Sequence, residues 1–156
     1  MRPSNPTAVL GDIAARKKTI AELAQTGQAE QAEAMCRTLC EQTPADPEAW
    51  FLLGAINGQL SRFPEADHCC KQDLSFEPNH PILHFNLAIA YQNQGKLQAA
   101  VESFEQAIKL QPDFANAYLE LGNTQVLNNE PVRAVDNFKK AIQLDPASAV
   151  THLNMG

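Results

Sequence analysis

The side chains able to do chemistry in this chain are few. Cysteines stand at 36, 40, 69 and 70, and histidines at 68, 80, 84 and 152. Thiolates and imidazoles can gather round zinc when they carry ligand spacing such as C-x2-C, and two thiols can form a redox pair when one is held as thiolate. Cys36 and Cys40 lie one helical turn apart and Cys69 and Cys70 are adjacent, so no C-x2-C pair exists even with His68 nearby. We read Cys36 and Cys70 as small core hydrophobes and Cys40 and Cys69 as off the core columns, with all four inert under mild redox conditions and free of zinc. His80 follows Pro78 and Asn79 and reads as a solvated loop residue. There is no Ser/His/Asp arrangement, no phosphate-cradling glycine loop and no HExxH. The expectation is a chain with no catalytic, cofactor-binding or metal-ligating residue, and no cofactor.

Twelve Lys and Arg against 18 Asp and Glu give a formal charge of −6. That balance argues against nucleic acid, whose phosphates need clustered basic side chains, and against an anionic membrane surface. The composition, 44% hydrophobic and 19% charged, is that of a globular protein. No stretch approaches the roughly 18–20 apolar residues that would span a bilayer, so no membrane insertion is expected. The start, MRPSNPTAVLGDIAARKK, has only a short apolar run and does not read as a signal peptide. Sparse cysteines fit a reducing compartment, and the chain is expected to be cytoplasmic.

The elements that must position these residues emerge from a period of 34. Pro44, Pro78, Pro112 and Pro146 keep that spacing, as do Ala32, Ala66, Ala100 and Ala134. So do Leu53, Leu87, Leu121 and Met155, each followed by Gly or Ala. Within residues 113–146, Tyr118, Leu121 and Gly122 mark one helical face, and Ala134, Phe138 and Ala141 a second. Asn128 and Asn129 separate the two, and Pro131 suits a first helical turn. No useful length alternates with period two. The organisation is a flexible leader and helix start (1–12), a degenerate capping repeat (13–46), three repeats (47–80, 81–114, 115–148) and the start of a further repeat (149–156). All form one solenoid domain, which reads as a fragment of a longer chain. One unit buries too little to stand alone, so each must be covered by its neighbours.

These columns resemble the tetratricopeptide repeat. Residues 81–114 carry Leu87, Ala88, Tyr91, Gly95, Ala100, Phe104, Ala107 and Pro112; residues 115–148 carry Tyr118, Leu121, Gly122, Ala134, Phe138, Ala141 and Pro146. Residues 47–80 keep Trp50, Leu53, Gly54, Ala66 and Pro78 but have Asn57, Cys70 and Asp73 at other signature positions. In style the repeats are similar to the arms of O-linked N-acetylglucosamine transferase-like proteins. The resemblance implies an all-α fold, a right-handed α-solenoid of antiparallel helix pairs, whose first helices line a concave groove. It places Phe51, Phe85, Leu119 and Leu153 in that groove, with Asn86, Ile89, Asn123, Leu127 and Asn154 beside them. His84 and His152 share the slot of Trp50 and Tyr118, which reads as aromatic packing.

The functional expectation is a non-catalytic interaction module that holds a protein or peptide with apolar anchors. The alternatives are the substrate-recruiting N-terminal arm of a larger glycosyl-, sulfo- or methyltransferase, and a self-assembling scaffold in which the groove or the truncated end binds another copy. The position-5 column has a competing use, packing between successive first helices. With Glu48 and Glu120 and no Lys from residue 47 onward at the groove positions, an acidic ligand is unwelcome.

Overall fold

In the computed structural model, residues 6–147 are described, with side chains from residue 11 onward. Among them are eight α-helices: α1 (Pro6–Gln25), α2 (Ala29–Gln42), α3 (Pro47–Gln59), α4 (Phe63–Phe76), α5 (Pro81–Asn93), α6 (Leu97–Leu110), α7 (Ala115–Leu127) and α8 (Pro131–Leu144). The fold is all-α, built of antiparallel helix pairs. α3, α5 and α7 begin at Pro47, Pro81 and Ala115, one period apart. α1 begins at Pro6, inside the segment read as leader and helix start. The expected packing of residues 149–156, with Leu153, Asn154 and His152, lies outside the described residues.

Each pair is closed by the same turn. Backbone N–H groups of Gln28, Arg62, Lys96 and Glu130 donate to the carbonyls of Leu23, Asn57, Tyr91 and Gln125 at 2.9, 2.8, 2.9 and 2.7 Å. This six-to-one bond is the Schellman closure, which needs a left-handed residue just before the donor. That residue recurs at the same spacing: Gly27 (φ 82), Ser61 (φ 58), Gly95 (φ 73) and Asn129 (φ 61). Helix starts are satisfied locally too. Asp46 accepts from the Ala49 N–H, and His80 Nδ1 accepts from the Leu83 N–H, both at 3.4 Å. His80 is therefore a helix cap, where the sequence suggested only a loop residue. Behind each cap a side chain reaches back to a proline carbonyl. Trp50 Nε1 donates to Pro44, and His84 Nε2 to Pro78, both at 2.9 Å.

The chain divides into two compact units, Met1–Asp73 and Leu74–Gly156. In the first, α1, α2 and α3 pack mutually, around Ile20, Ala32, Cys36, Leu39, Ala49, Leu53 and Ile56. Gly54 lets α4 approach α3: a β-carbon there would lie 3.2 Å from Cys69 Cβ. In the second, α5, α6, α7 and α8 pack in chain order around Ala88, Ala100, Val101, Phe104 and Leu121. A β-carbon on Gly122 would fall 2.6 Å from the Phe138 ring.

The turn geometry gives a first test. No atom lies within 4 Å of a β-carbon built on Gly95, so only its backbone conformation opposes a side chain. Gly95→Ala should cost about 1 kcal/mol, and Ser61→Gly should gain a similar amount. Denaturant midpoints of the two variants would check both signs.

Candidate binding surface

The clearest depression beside a residue expected in the groove lies in unit Met1–Asp73, and Phe51 lines it. On α3, Glu48, Phe51 and Leu52 (i, i+3, i+4) share a face; on α1, Ile13, Ala14, Lys17 and Lys18 face the same space. The α2–α3 connection completes a cleft of about 900 Å³. Phe51 is 36% exposed, an aromatic ring available to a ligand. Lys17 Nζ reaches Asp46 at 2.7 Å and Glu48 at 2.6 Å, tying α1 to the start of α3. Burial pulls the Lys17 pKa down, but its bonds to the two carboxylates outweigh that, and it rises above the ordinary 10.5.

This changes the electrostatic expectation for that cleft. Two ammonium groups, Lys17 and Lys18, now face two carboxylates, Asp46 and Glu48. The lysines sit in the stretch read as a degenerate cap, where no groove position was assigned. An acidic ligand is therefore not disfavoured by net charge here.

In unit Leu74–Gly156 the expected residues divide. Phe85 is half-buried and packs on Phe104 and Phe114, with ring centroids 5.5 and 4.9 Å away. Ile89 is partly buried against the same core and Asn86 is half-buried. Leu119 is only 3% exposed. It presents almost no surface to a partner, so its placement in the groove is corrected to core. The competing use of the position-5 column, packing, prevails at that residue. Asn123 bonds Glu120 on its own helix at 3.5 Å. Gln92 bonds Thr124 Oγ1 at 3.0 Å and so links α5 to α7. Exposed apolar side chains remain at Ile82 on α5 and at Val126 and Leu127 on α7. Leu153 and Asn154 lie outside the described residues.

All four thiols are buried and unpaired by disulfide. Cys40 and Cys69, expected off the core, are 1% and 2% exposed. Cys69 packs on α3 opposite the missing side chain of Gly54, and Cys40 on α2 shares one buried cluster with it and Cys36. Burial pushes Cys69 and Cys70 up to about 12. A bond to Cys40, together with burial, also raises Cys36. Among the described residues no set of three or more His, Cys, Asp or Glu is placed to hold a metal. No helix among them is long and apolar enough to cross a membrane.

Antiparallel helix pairs with a 34-residue period define the class, and comparison with known proteins adds a family match over part of the chain. Residues 85–149 match the family described as tetratricopeptide repeat. Protein O-mannosyl-transferase TMTC1 of Mus musculus is 30% identical over 104 residues, covering 64% of this chain and 11% of that protein. Human protein O-mannosyl-transferase TMTC3 is 35% identical over 57 residues, covering 36% of this chain and 6% of that protein. The chain thus spans about a tenth or less of the length of these relatives. Among solved structures, a MamA fragment (41-end) from Desulfovibrio magneticus RS-1 superposes with a TM-score of 0.82 at 18% identity, covering 86% of this chain and 76% of that one. A crystal structure of MamA gives 0.82 at 20% identity, covering 92% and 84%. At such identity the likeness is one of fold.

The thiol environments set a pH dependence. Cys69 and Cys70 hold their protons to about 12 when folded, against an ordinary 9.0. Between those values the native state binds more protons than the unfolded one, so stability falls as pH rises. Lys17, with its folded pKa above 10.5, loses its contribution in the same direction as pH climbs through that value. Denaturation midpoints should drop steadily above pH 9, and less steeply for Cys69→Ala and Cys70→Ala. Native-state thiol labelling at pH 8 should be slow at all four positions, at a rate set by opening of the fold.

Proposed function

We propose that this chain is a non-catalytic protein-interaction module that binds a peptide or helix of a partner on the faces of its first helices. The observation that carries this reading is the Phe51 cleft, an open apolar concavity with balanced charge and an accessible aromatic ring. Aromatic side chains in such positions commonly dominate binding energy, and an apolar lining meets anchors presented along an extended or helical ligand. The exposed Ile82, Val126 and Leu127 offer further apolar surface in the other unit. Asn86, and Asn154 by sequence, would supply polar bonds to a ligand backbone. Buried reduced thiols favour a reducing compartment such as the cytoplasm.

A second reading has its own support. The relatives named above are O-mannosyl-transferases, of which this chain corresponds to a small part. That favours a role as the recruiting arm of a larger transferase. The two readings share the binding surface and differ in what is attached to it.

The test is a display selection of apolar-anchored peptides on the full chain, followed by affinity measurement. Phe51→Ala should weaken selected peptides by about 2 kcal/mol, some 30-fold, with unchanged helicity and only weak salt dependence. Leu127→Ala should weaken those that engage the other unit. Unchanged affinity in both variants would move the binding surface off the first helices. Light scattering across a concentration range would separate a monomeric binder from the self-associating scaffold.

A further inference from the structure

A second cleft in unit Met1–Asp73 takes no part in the surface just described. It opens on the opposite face of α3. Trp50, Leu53 and Asn57 (i, i+3, i+7) line it, whereas Glu48, Phe51 and Leu52 line the first cleft. Its volume is about 460 Å³, within the range of pockets that hold one ligand group. α2 contributes Glu33, Arg37 and Glu41, and α4 contributes Glu65 and His68. The Trp50 ring is held in place: its Nε1 donates to Pro44, and His68 meets it edge-on with centroids 6.0 Å apart.

Two independent features define what this cleft would take. The first is charge, with three carboxylates against one guanidinium in the lining. Glu33 is already engaged by Arg37 and Arg62, so the excess negative charge is at Glu41 and Glu65. The second is a buried acceptor. Asn57 is 1% exposed, and its Nδ2 donates to the Leu53 carbonyl at 3.0 Å. Its Oδ1 is buried with no hydrogen-bond partner. Buried carbonyl oxygens almost always find a donor, and a donor group seated in the cleft that Asn57 lines would supply one.

We propose that this cleft seats an arginine side chain of a protein partner. The guanidinium would donate to Asn57 Oδ1, lie among Glu41 and Glu65, and meet the Trp50 indole; its methylene stem would follow Leu53. A planar group with five donors and an affinity for aromatic faces suits this combination better than the compact ammonium of lysine. The site is independent of the first-helix surface, so failure of either leaves the other standing.

Trp50 is the only tryptophan in the chain, and its emission reports on this cleft directly. The probes are the peptide acetyl-Ala-Ala-Arg-Ala-Ala-amide and its citrulline twin, a neutral near-isostere, titrated into the full chain. The arginine peptide should shift Trp50 emission saturably. The citrulline peptide should bind at least about tenfold more weakly, and added salt should weaken the arginine peptide. The double variant Glu41→Gln/Glu65→Gln, at exposed positions, should lose about fivefold or more in affinity with its melting temperature unchanged. Asn57→Leu should abolish the shift; if it fails to fold, the double variant decides. Equal binding of the two peptides, no saturable change up to about 10 mM, or unchanged affinity in the double variant would overturn the proposal.

Discussion

How closely two helices of a pair can approach governs the rest of this structure. At Gly122 a single β-carbon would lie 2.6 Å from the Phe138 ring, so α8 can sit where it does only because α7 has no side chain there. Ala88 and Ala100, both fully buried, allow the same closeness between α5 and α6. Gly54 does so for Cys69 on α4. The Schellman turn fixes the reversal that brings the second helix back, and a left-handed residue once per period makes that turn possible. Dispersion and apolar burial grow steeply as such surfaces close, and small residues at two fixed positions convert that into a repeating architecture.

That constraint also shapes the surfaces. Since packing uses one face of each first helix, another face is left over, and on α3 it carries the exposed Phe51, with the partly buried Leu52 at its edge. The Lys17 ammonium, held between Asp46 and Glu48, fixes the rim of that cleft by coupling α1 to the cap of α3. α3 has a further peculiarity: Asn57 occupies a position filled by Tyr91 in α5. A smaller polar side chain there leaves space and an unsatisfied acceptor beside Trp50. One helix thus presents an apolar cleft on one side and an acidic, aromatic one on the other.

Much of the fold was legible because periodicity is a property of the chain itself. The 34-residue columns locate the pairs, and their Gly and Ala members mark the close approaches. The departures have physical causes that column position alone does not carry. Ser61 takes a left-handed conformation because the turn demands it, although serine gives no such signal. His80 caps a helix by standing where Asp46 stands one period earlier, a correspondence the spacing did contain. Cys69 is core because the helix against it has a glycine, and Cys40 because it lies in the same buried cluster. Leu119 is buried and Phe51 is not, although they share a column, since exposure depends on neighbours as well as register. Lys17 and Lys18 entered the cleft from a stretch whose weak repeat signature concealed its first-helix face.

The most direct test of the close-approach account is a double-mutant cycle on Gly122 and Phe138, read by denaturant unfolding of the full chain. Gly58→Ala serves as control, because nothing lies within 4 Å of a β-carbon there and alanine favours helix. The account predicts that Gly122→Ala destabilises the wild-type chain, costs clearly less in a Phe138→Leu background, and contrasts with a stabilising Gly58→Ala. If Gly122→Ala stabilises as Gly58→Ala does, or costs the same in both backgrounds, close approach at this position does not set the packing of the pair.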